Sequence, residues 1–374
     1  MKKGLLIGLL LLAGCTQTST KIDESIPANQ MFTGMNTNIS KISISATDDA
    51  IYYIDSGTLY VYDDAMQESL KLADLNYIDD EVVSVSQDYE LEYEKYFDIM
   101  DGEYFQCYGG SLYYISYYGT IEGENGLMLN RLDSEGLNKE VVYTFDTVPD
   151  KMFITYGHLF YVDTFTQEVF VVNLNSKEKT QIIEPEGQRF LRYVPSQDGL
   201  YLNMYNQSTN VSTLYAFSFD DYSLENVISA PDYFLASSYD SNFIYYEIQA
   251  DKILAHVVNE AGDVRTTFEH TVMEYIDDQY IYATSAESPL KFQVYDYDGT
   301  LVYEVEASES FVPSNSLDLN GSKVEVSGII GVFKDTLVVV ANDKNDGLGY
   351  YTVNYKTGEW TKIATSSYLN ALDN

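Results

Sequence analysis

The sequence has few of the residues that build disulfides, metal clusters and nucleic-acid interfaces. Its 374 residues include two cysteines, three histidines and one tryptophan. Two cysteines cannot supply a disulfide framework or a cysteine zinc cluster. Lysine and arginine number 21 against 58 aspartates and glutamates, so the formal net charge is −37. This charge repels phosphates, and we therefore expect no nucleic-acid partner.

Motifs for catalysis and for cofactor binding are also missing. The chain contains no G-x-S-x-G elbow, Walker loop or H-E-x-x-H segment, which argues against several hydrolase families. His158, His256 and His270 do not have the spacing of metal ligands. The acidic turns at 295–300 and 342–349 lack the carboxylate spacing of a calcium loop. The sequence therefore assigns no catalytic, cofactor-binding or metal-ligating residue.

The first fifteen residues have the pattern of an export signal. Two lysines precede an apolar run over residues 5–12, which is too short to span about 30 Å of hydrocarbon. The run leads into the tetrapeptide LAGC at 12–15, with small residues before the cysteine. We expect residues 1–14 to be cleaved as a signal peptide, and loss of the two lysines then takes the formal charge from −37 to −39.

The tetrapeptide LAGC resembles the lipobox of bacterial lipoproteins. The resemblance implies that Cys15 is the lipid attachment site and that the mature protein is extracytoplasmic, anchored to a bacterial membrane. Two acyl chains of about sixteen carbons contribute on the order of 20 kcal/mol to membrane binding, at about 0.8 kcal/mol per buried methylene. An ordinary secreted chain is the alternative. Residues 15–30 are otherwise polar, and we expect a flexible tether that holds the folded part off the membrane.

Seven segments of similar pattern follow along the chain. Each contains an apolar strand rich in tyrosine or β-branched residues, and these strands begin near Ile51, Leu112, Leu159, Leu200, Phe243, Tyr280 and Leu337. The intervals between them are 61, 47, 41, 43, 37 and 57 residues. They cluster near the forty or so residues of a four-stranded propeller blade.

Three further strands accompany each of these anchors. One precedes the anchor, and the strand after it runs into a turn residue at Asp63, Asp133, Asn175, Asp220, Asn259, Asp298 or Asn354. Long stretches of helical periodicity are absent. The sequence predicts an all-β fold, a single β-propeller of seven four-stranded blades over residues 31–374. One blade more or fewer and a β-sandwich pair are the alternatives.

The repeats resemble the Tyr-rich YVTN or YWTD-type propellers of bacterial envelope proteins, over residues 40–365. LYVYD at 59–63 and VYDYDGT at 294–300 carry this resemblance. The repeated turns of sialidases and the tryptophan motifs of quinone-dependent dehydrogenases do not recur. We expect the 36 tyrosines to pack between blades, with sugar stacking as a second role, and Cys107 to be a buried apolar residue.

Two insertions interrupt the repeat. The first, at 76–103, has ten acidic residues against one lysine and alternating stretches typical of strands, so an acidic hairpin is expected and a cation site is the weaker alternative. The second, at 307–326, has a loop-like composition, and we expect it to be a surface addition to the fold and not a functional site.

Together these observations predict a membrane-anchored lipoprotein whose propeller is a non-catalytic binding or assembly scaffold. The partner is an envelope protein or a glycan that the sequence does not identify. The alternative is a polysaccharide-active enzyme with paired carboxylates in the propeller funnel, because 58 acids produce such pairs by chance.

Overall fold

The computed structural model describes residues 21–27, 44–75 and 105–365. Short breaks within these ranges fall at 47–49, 56, 64–67, 120–124, 134–137, 197–198, 232, 240–241, 249–252, 260, 270, 286–289, 308–310, 313–314, 320–321, 327–328 and 344–346. In the described part of the chain every regular element is a strand. None of it forms a helix with the length and apolarity needed to cross a membrane.

The first four blades are antiparallel meanders of consecutive strands. Blade 1 contains β1 (Ile44–Ala46), β2 (Ile51–Asp55), β3 (Thr58–Asp63) and β4 (Glu68–Asp74). Blade 2 contains β5 (Phe105–Tyr108), β6 (Ser111–Gly119), β7 (Asn125–Asp133) and β8 (Lys139–Thr144). Blade 3 contains β9 (Pro149–Thr155), β10 (His158–Asp163), β11 (Val169–Asn173) and β12 (Lys179–Ile182). Blade 4 contains β13 (Arg189–Ser196), β14 (Gly199–Asn206), β15 (Val211–Phe217) and β16 (Leu224–Pro231).

The remaining three blades repeat the pattern. Blade 5 contains β17 (Tyr233–Tyr239), β18 (Asn242–Ile248), β19 (Ile253–Asn259) and β20 (Val264–Glu269). Blade 6 contains β21 (Thr271–Ile276), β22 (Ile281–Ser285), β23 (Lys291–Tyr295) and β24 (Leu301–Glu306). Blade 7 contains β28 (Ile329–Phe333), β29 (Thr336–Asp343), β30 (Gly347–Asn354) and β31 (Trp360–Thr365). The predicted seven-bladed, four-stranded β-propeller is confirmed.

The second insertion is a small sheet system rather than the predicted loop. Strand β25 (Phe311–Val312) pairs with β29, while β26 (Asn315–Leu319) and β27 (Ser322–Val326) form a separate hairpin. The segments NSLDL and SKVEV alternate apolar and polar residues, which is the period of a strand. The first insertion, at 76–103, lies outside the described residues.

Each blade packs its faces against both neighbours. Seven clusters of buried hydrophobic residues lie between blades 1 and 2, 2 and 3, and so on to 7 and 1. Seven of the largest fully buried side chains are tyrosines, namely Tyr113, Tyr114, Tyr161, Tyr193, Tyr245, Tyr282 and Tyr350. The predicted packing role of tyrosine is confirmed for these residues, and Cys107 is buried as expected.

The ring closes through side-chain packing between blades 1 and 7. Ile51 and Tyr53 of blade 1 share a buried cluster with Val338 and Tyr350 of blade 7. Among the described residues, each of these two blades takes its four strands from one continuous part of the chain. Closure therefore uses the same kind of apolar contact as the other blade interfaces.

The first strands of successive blades lie side by side around the axis and exchange polar contacts as well. The side-chain amide of Gln106 on β5 donates to the carbonyl of Ile154 on β9 and accepts from its N–H, both at 2.8 Å. Ser45 on β1 accepts from the N–H of Cys107 at 2.9 Å. Buried amides and hydroxyls thus satisfy backbone groups that no sheet partner reaches.

The blades give the propeller two distinct ends. The turns within strand pairs one–two and three–four lie at one end, called here the turn end. The connections between strands two and three, and between successive blades, lie at the other, called here the loop end. The second insertion falls in the connection between blades 6 and 7 and therefore belongs to the loop end.

Residues 21–27 differ from the expected flexible tether. They lie against the turn end of blades 2 and 3, where Ile22 is buried and its N–H donates to Asn175 at 2.9 Å. The composition of 15–30 is polar, but it includes two isoleucines, Ile22 and Ile26, and both pack on the cluster between blades 2 and 3. Two apolar residues without periodicity are too weak a pattern to predict docking from sequence.

Candidate functional site

A pocket of about 520 Å³ opens at the loop end of blade 3, beside blade 4. It lies between the β10–β11 connection and the link from β12 to β13. Its lining consists of Lys151, Val162, Thr166, Gln167, Glu168, Val169, Gln181, Ile182, Ile183, Glu184, Arg189 and Phe190. Apolar and polar side chains both contribute to this concave lining, which makes it a candidate binding pocket.

The β10–β11 connection, residues 164–168, is held rigidly by Asp163. Its carboxylate accepts hydrogen bonds from the N–H groups of Phe165 (2.7 Å) and Thr166 (2.9 Å), and the hydroxyl of Thr147 donates to it as well. Burial opposes ionisation of this carboxyl, but the hydrogen bonds from Thr147, Thr166 and Phe165 lower the pKa of Asp163 below its usual value. The wall of the pocket is therefore formed before any ligand arrives.

Lys151 brings a cation into the pocket. It occupies the left-handed backbone region with φ of 46°, and its N–H donates to the carboxylate of Asp150 at 2.8 Å. The ammonium group donates to the carbonyl of Leu191 at 3.2 Å and lies 5.5 Å from the centre of the Phe190 ring. Desolvation lowers the pKa of Lys151. Together with Arg189 it supplies positive charge that is scarce in this acidic protein.

The two acidic residues of the lining are engaged by the protein itself. Glu168 accepts from the Thr166 hydroxyl and from the Gln181 amide, both at 3.0 Å. Glu184 accepts from the N–H of Phe190 at 3.0 Å. These carboxylates stabilise the pocket wall, and their contacts do not resemble an acid and base pair arranged around a scissile bond.

Two large hydrophobic side chains within or next to the pocket lining are exposed to solvent. Phe165, next to the lining residue Thr166, is 77 % exposed, and Ile183 of the lining is 73 % exposed. They have the highest exposed fractions among the large hydrophobic residues of the described chain. Exposed apolar groups beside a pocket are typical of surfaces that bind another molecule.

The residues singled out in the sequence are not part of this pocket. Cys15 and the signal peptide lie outside the described residues, as do the acidic insertion and His270. His158 contacts the carbonyl of Tyr156 at the turn end. His256 lies in blade 5 between Thr267 (2.9 Å) and Glu247 (3.0 Å). Within the described ranges, no three histidine, cysteine, aspartate or glutamate side chains gather as metal ligands would.

Sequence reasoning missed the pocket residues because no motif marks them. Phe165 and Gln167 fall within DTFTQE, a polar turn between two strands, and Lys151 follows an aspartate at the start of β9. The only available signal is a phenylalanine in a turn otherwise made of polar residues. Such a residue has no blade to pack against, and it could have been recognised as a surface-exposed aromatic.

A second polar cluster lies at the turn end of blade 6, around Asp277. Its carboxylate accepts from the N–H groups of Gln279 and Tyr280, both at 2.8 Å, and from the hydroxyl of Tyr282 at 2.7 Å. Burial raises the pKa of Asp277 despite these three hydrogen bonds. These groups satisfy one another within a turn, so we interpret the cluster as structural.

Replacement of Asp277 by asparagine is expected to raise the melting temperature slightly at pH 7. When a carboxyl has a higher pKa in the folded state than in the unfolded state, the protein loses stability as the pH rises from the unfolded-state pKa to the folded-state pKa. The loss persists at higher pH. Asparagine keeps an acceptor for the two N–H groups and carries no charge. Thermal unfolding at pH 7 and pH 3 tests this, because at pH 3 the carboxyl is largely protonated and the difference should disappear. A variant less stable at pH 7 would show that the ionised carboxylate stabilises the turn.

The comparisons with known proteins identify a fold. No protein-family model matches the chain, and a search of curated proteins finds no match. Among solved structures, the chain is similar to a prolyl endopeptidase, with a TM-score of 0.52 and 11 % sequence identity. The match covers 90 % of this chain and 51 % of that chain. The chain is also similar to oligopeptidase B from Leishmania major, with a TM-score of 0.52 and 11 % sequence identity. That match covers 91 % of this chain and 49 % of the oligopeptidase chain. A puromycin hydrolase matches with a TM-score of 0.51 and 9 % sequence identity, over 92 % of this chain and 57 % of the hydrolase chain.

These similarities cover roughly half of each of the three solved proteins. At such identities they show a shared propeller architecture and carry no information about activity. The class defined by fold and site is therefore a seven-bladed β-propeller with a loop-end pocket.

Proposed function

We propose that this protein is a membrane-anchored extracytoplasmic lipoprotein, attached through Cys15, whose propeller is a non-catalytic scaffold that binds a protein partner at the loop-end pocket. The observation that carries the binding role is the rigid pocket flanked by the exposed side chains of Phe165 and Ile183. The lipobox-like motif LAGC at 12–15 is the observation that supports attachment to a membrane.

The chemistry of the pocket favours a protein over a glycan. Phe165 could stack on a sugar ring, but Ile183 has no flat face to do so, and both together provide the apolar contact typical of protein interfaces. Lys151 and Arg189 can pair with a carboxylate or a backbone carbonyl of the partner. The expected ligand is an exposed peptide segment with an apolar side chain near a hydrogen-bond acceptor.

The double substitution Phe165→Ser and Ile183→Ser is expected to lower partner recovery at least tenfold. Loss of two central apolar contacts at an interface costs about 2 kcal/mol or more, which corresponds to more than a tenfold change in affinity. Both side chains are exposed, so the fold should be unchanged. The measurement is crosslinking in intact cells followed by quantitative pull-down of the full chain.

Val264→Ser is the matched control. Val264 lies on the outer strand of blade 5 and is 53 % exposed, so its loss removes a similar apolar group away from the pocket. Equal recovery with the double variant and with wild type would overturn the pocket as the binding site. Capture of glycan alone, lost in the double variant, would replace the protein partner with a carbohydrate one.

A further inference from the structure

The docked segment 21–27 constrains how the propeller sits on the membrane. Its hydrogen bonds to the blades are made with turn-end residues, namely Tyr108, Tyr156, Asn173 and Asn175. Asn175 accepts from the N–H of Ile22 and donates to its carbonyl, both at 2.9 Å, which reproduces the paired bonds of a short β-bridge. Such two-way pairing holds the backbone of Ile22 against the turn of blade 3.

Two further contacts hold the other half of the segment. The N–H of Tyr156 donates to the carbonyl of Ile26 at 2.9 Å, and the Tyr108 hydroxyl donates to the same carbonyl at 2.8 Å. The hydroxyl also accepts from the N–H of Gly157 at 2.7 Å, so it joins the segment to blades 2 and 3.

Gly157 shows how closely the segment approaches the blade. Its φ is +69°, and a Cβ built there would lie 2.7 Å from Cγ and 3.3 Å from Cα of Glu24. Any other residue at 157 would be strained and would also push the segment away. The sequence of the turn is therefore compatible with a segment held against it.

The position of Cys15 in the sequence relates this docking to the orientation of the propeller on the membrane. Lys21 lies six positions after Cys15, with five residues between them, and a fully extended chain over six positions reaches about 20 Å. A lipid on Cys15 consequently keeps the docked segment, and with it the turn end, within about 20 Å of the membrane. The pocket lies at the other end of the strands, where β10 ends at Asp163.

We propose that residues 21–27 form an orienting strap: the turn end of the propeller faces the membrane, and the loop end, with its pocket, faces outward toward a partner. This inference rests on the proposed lipid anchor at Cys15. It assigns to the segment a function beyond that of a spacer, because a flexible tether would leave the propeller free to rotate and would present the pocket in random directions.

Blade 4 provides a matched pair of reporter positions for the test. Gln207 lies at the loop end just before β15 and Asp220 at the turn end just after it, and both are exposed. Single cysteines at these positions are separated by about 25 Å along the strand. The native Cys107 is buried, and burial raises its pKa to about 12, so it does not compete for a thiol-reactive dye.

The experiment measures energy transfer from a dye on each cysteine to labelled lipid headgroups. Lipidated Gln207→Cys and Asp220→Cys proteins are inserted in vesicles of phosphatidylethanolamine and phosphatidylglycerol, and flotation is measured on the same samples. Transfer from residue 220 is expected to exceed transfer from residue 207 about threefold, because of the difference in height. Protein that floats with equal transfer from both positions, or with more from 207, overturns the orientation alone. Protein that does not float overturns the anchor.

A second set of variants tests whether the strap is the cause. Ile22→Asp with Tyr108→Phe removes the buried apolar group and the bridging hydroxyl, and it should abolish the difference between the two reporters while flotation is unchanged. Val264→Asp adds the same charge at an exposed site far from the strap and should keep the difference. A difference that survives Ile22→Asp with Tyr108→Phe would show that something other than residues 21–27 orients the propeller.

Discussion

Replacement of Cys15 by serine is expected to move the protein from the membrane fraction to the soluble fraction of the cell. Two acyl chains contribute on the order of 20 kcal/mol to membrane binding, and the acidic surface adds no attraction to anionic headgroups. The acyl chains are therefore the only strong attachment that the proposal provides. Fractionation with immunoblotting measures the change, and the variant should unfold at the same temperature as the mature domain.

Cys107→Ala is the control for this prediction. It removes the other cysteine, which is buried in the cluster between blades 1 and 2, and should leave the protein in the membrane fraction. Persistence of Cys15→Ser in the membrane fraction, without a change in signal cleavage, would contradict lipid attachment. A secreted chain would then be the better interpretation.

Ile51→Ala is expected to destabilise the propeller by about 2 to 5 kcal/mol. Ile51 is fully buried where blade 1 packs on blade 7, and truncation leaves a cavity in that cluster. Because closure of the ring is made by packing, weakening this cluster opens the interface that holds the two ends of the propeller together. Urea unfolding of the mature domain measures the free energy of unfolding.

Ile281→Ala provides the matched comparison. Ile281 also begins the second strand of its blade and is equally buried, but it packs between blades 5 and 6. If closure relies on packing alone, the two variants lose stability to a similar extent. A much smaller loss in Ile51→Ala would show that another contact holds blades 1 and 7 together.

Most of the fold could be predicted from the repeat because each blade is a local structure. Its four strands are consecutive, so the apolar runs and the turn residues between them are visible in about forty residues. Asn175, for example, was predicted to be a turn residue, and it lies in the turn between β11 and β12. The hairpin at 315–326 differs from the predicted loop because the alternation in NSLDL and SKVEV covers only five residues each, within a segment of loop-like composition.

The candidate site could not be predicted in the same way. Lys151, Gln167, Gln181 and Arg189 come from three strands and a turn, and nothing in their spacing indicates that they line one pocket. They meet because β9, β11 and β12 belong to one blade while β13 begins the next. The docking of Ile22 on Asn175 joins residues 153 positions apart, and no local pattern reports a contact at that distance.

The sequence by itself determined the all-β class and the blade repeat, and it predicts an export signal and a lipidation motif, because each of these depends on residues close together in the chain. Tertiary structure alone decided which side chains converge at the loop end, how blades 1 and 7 close the ring, and where residues 21–27 lie. These features depend on contacts between blades, and the free energy of such contacts comes from packing among residues far apart in sequence.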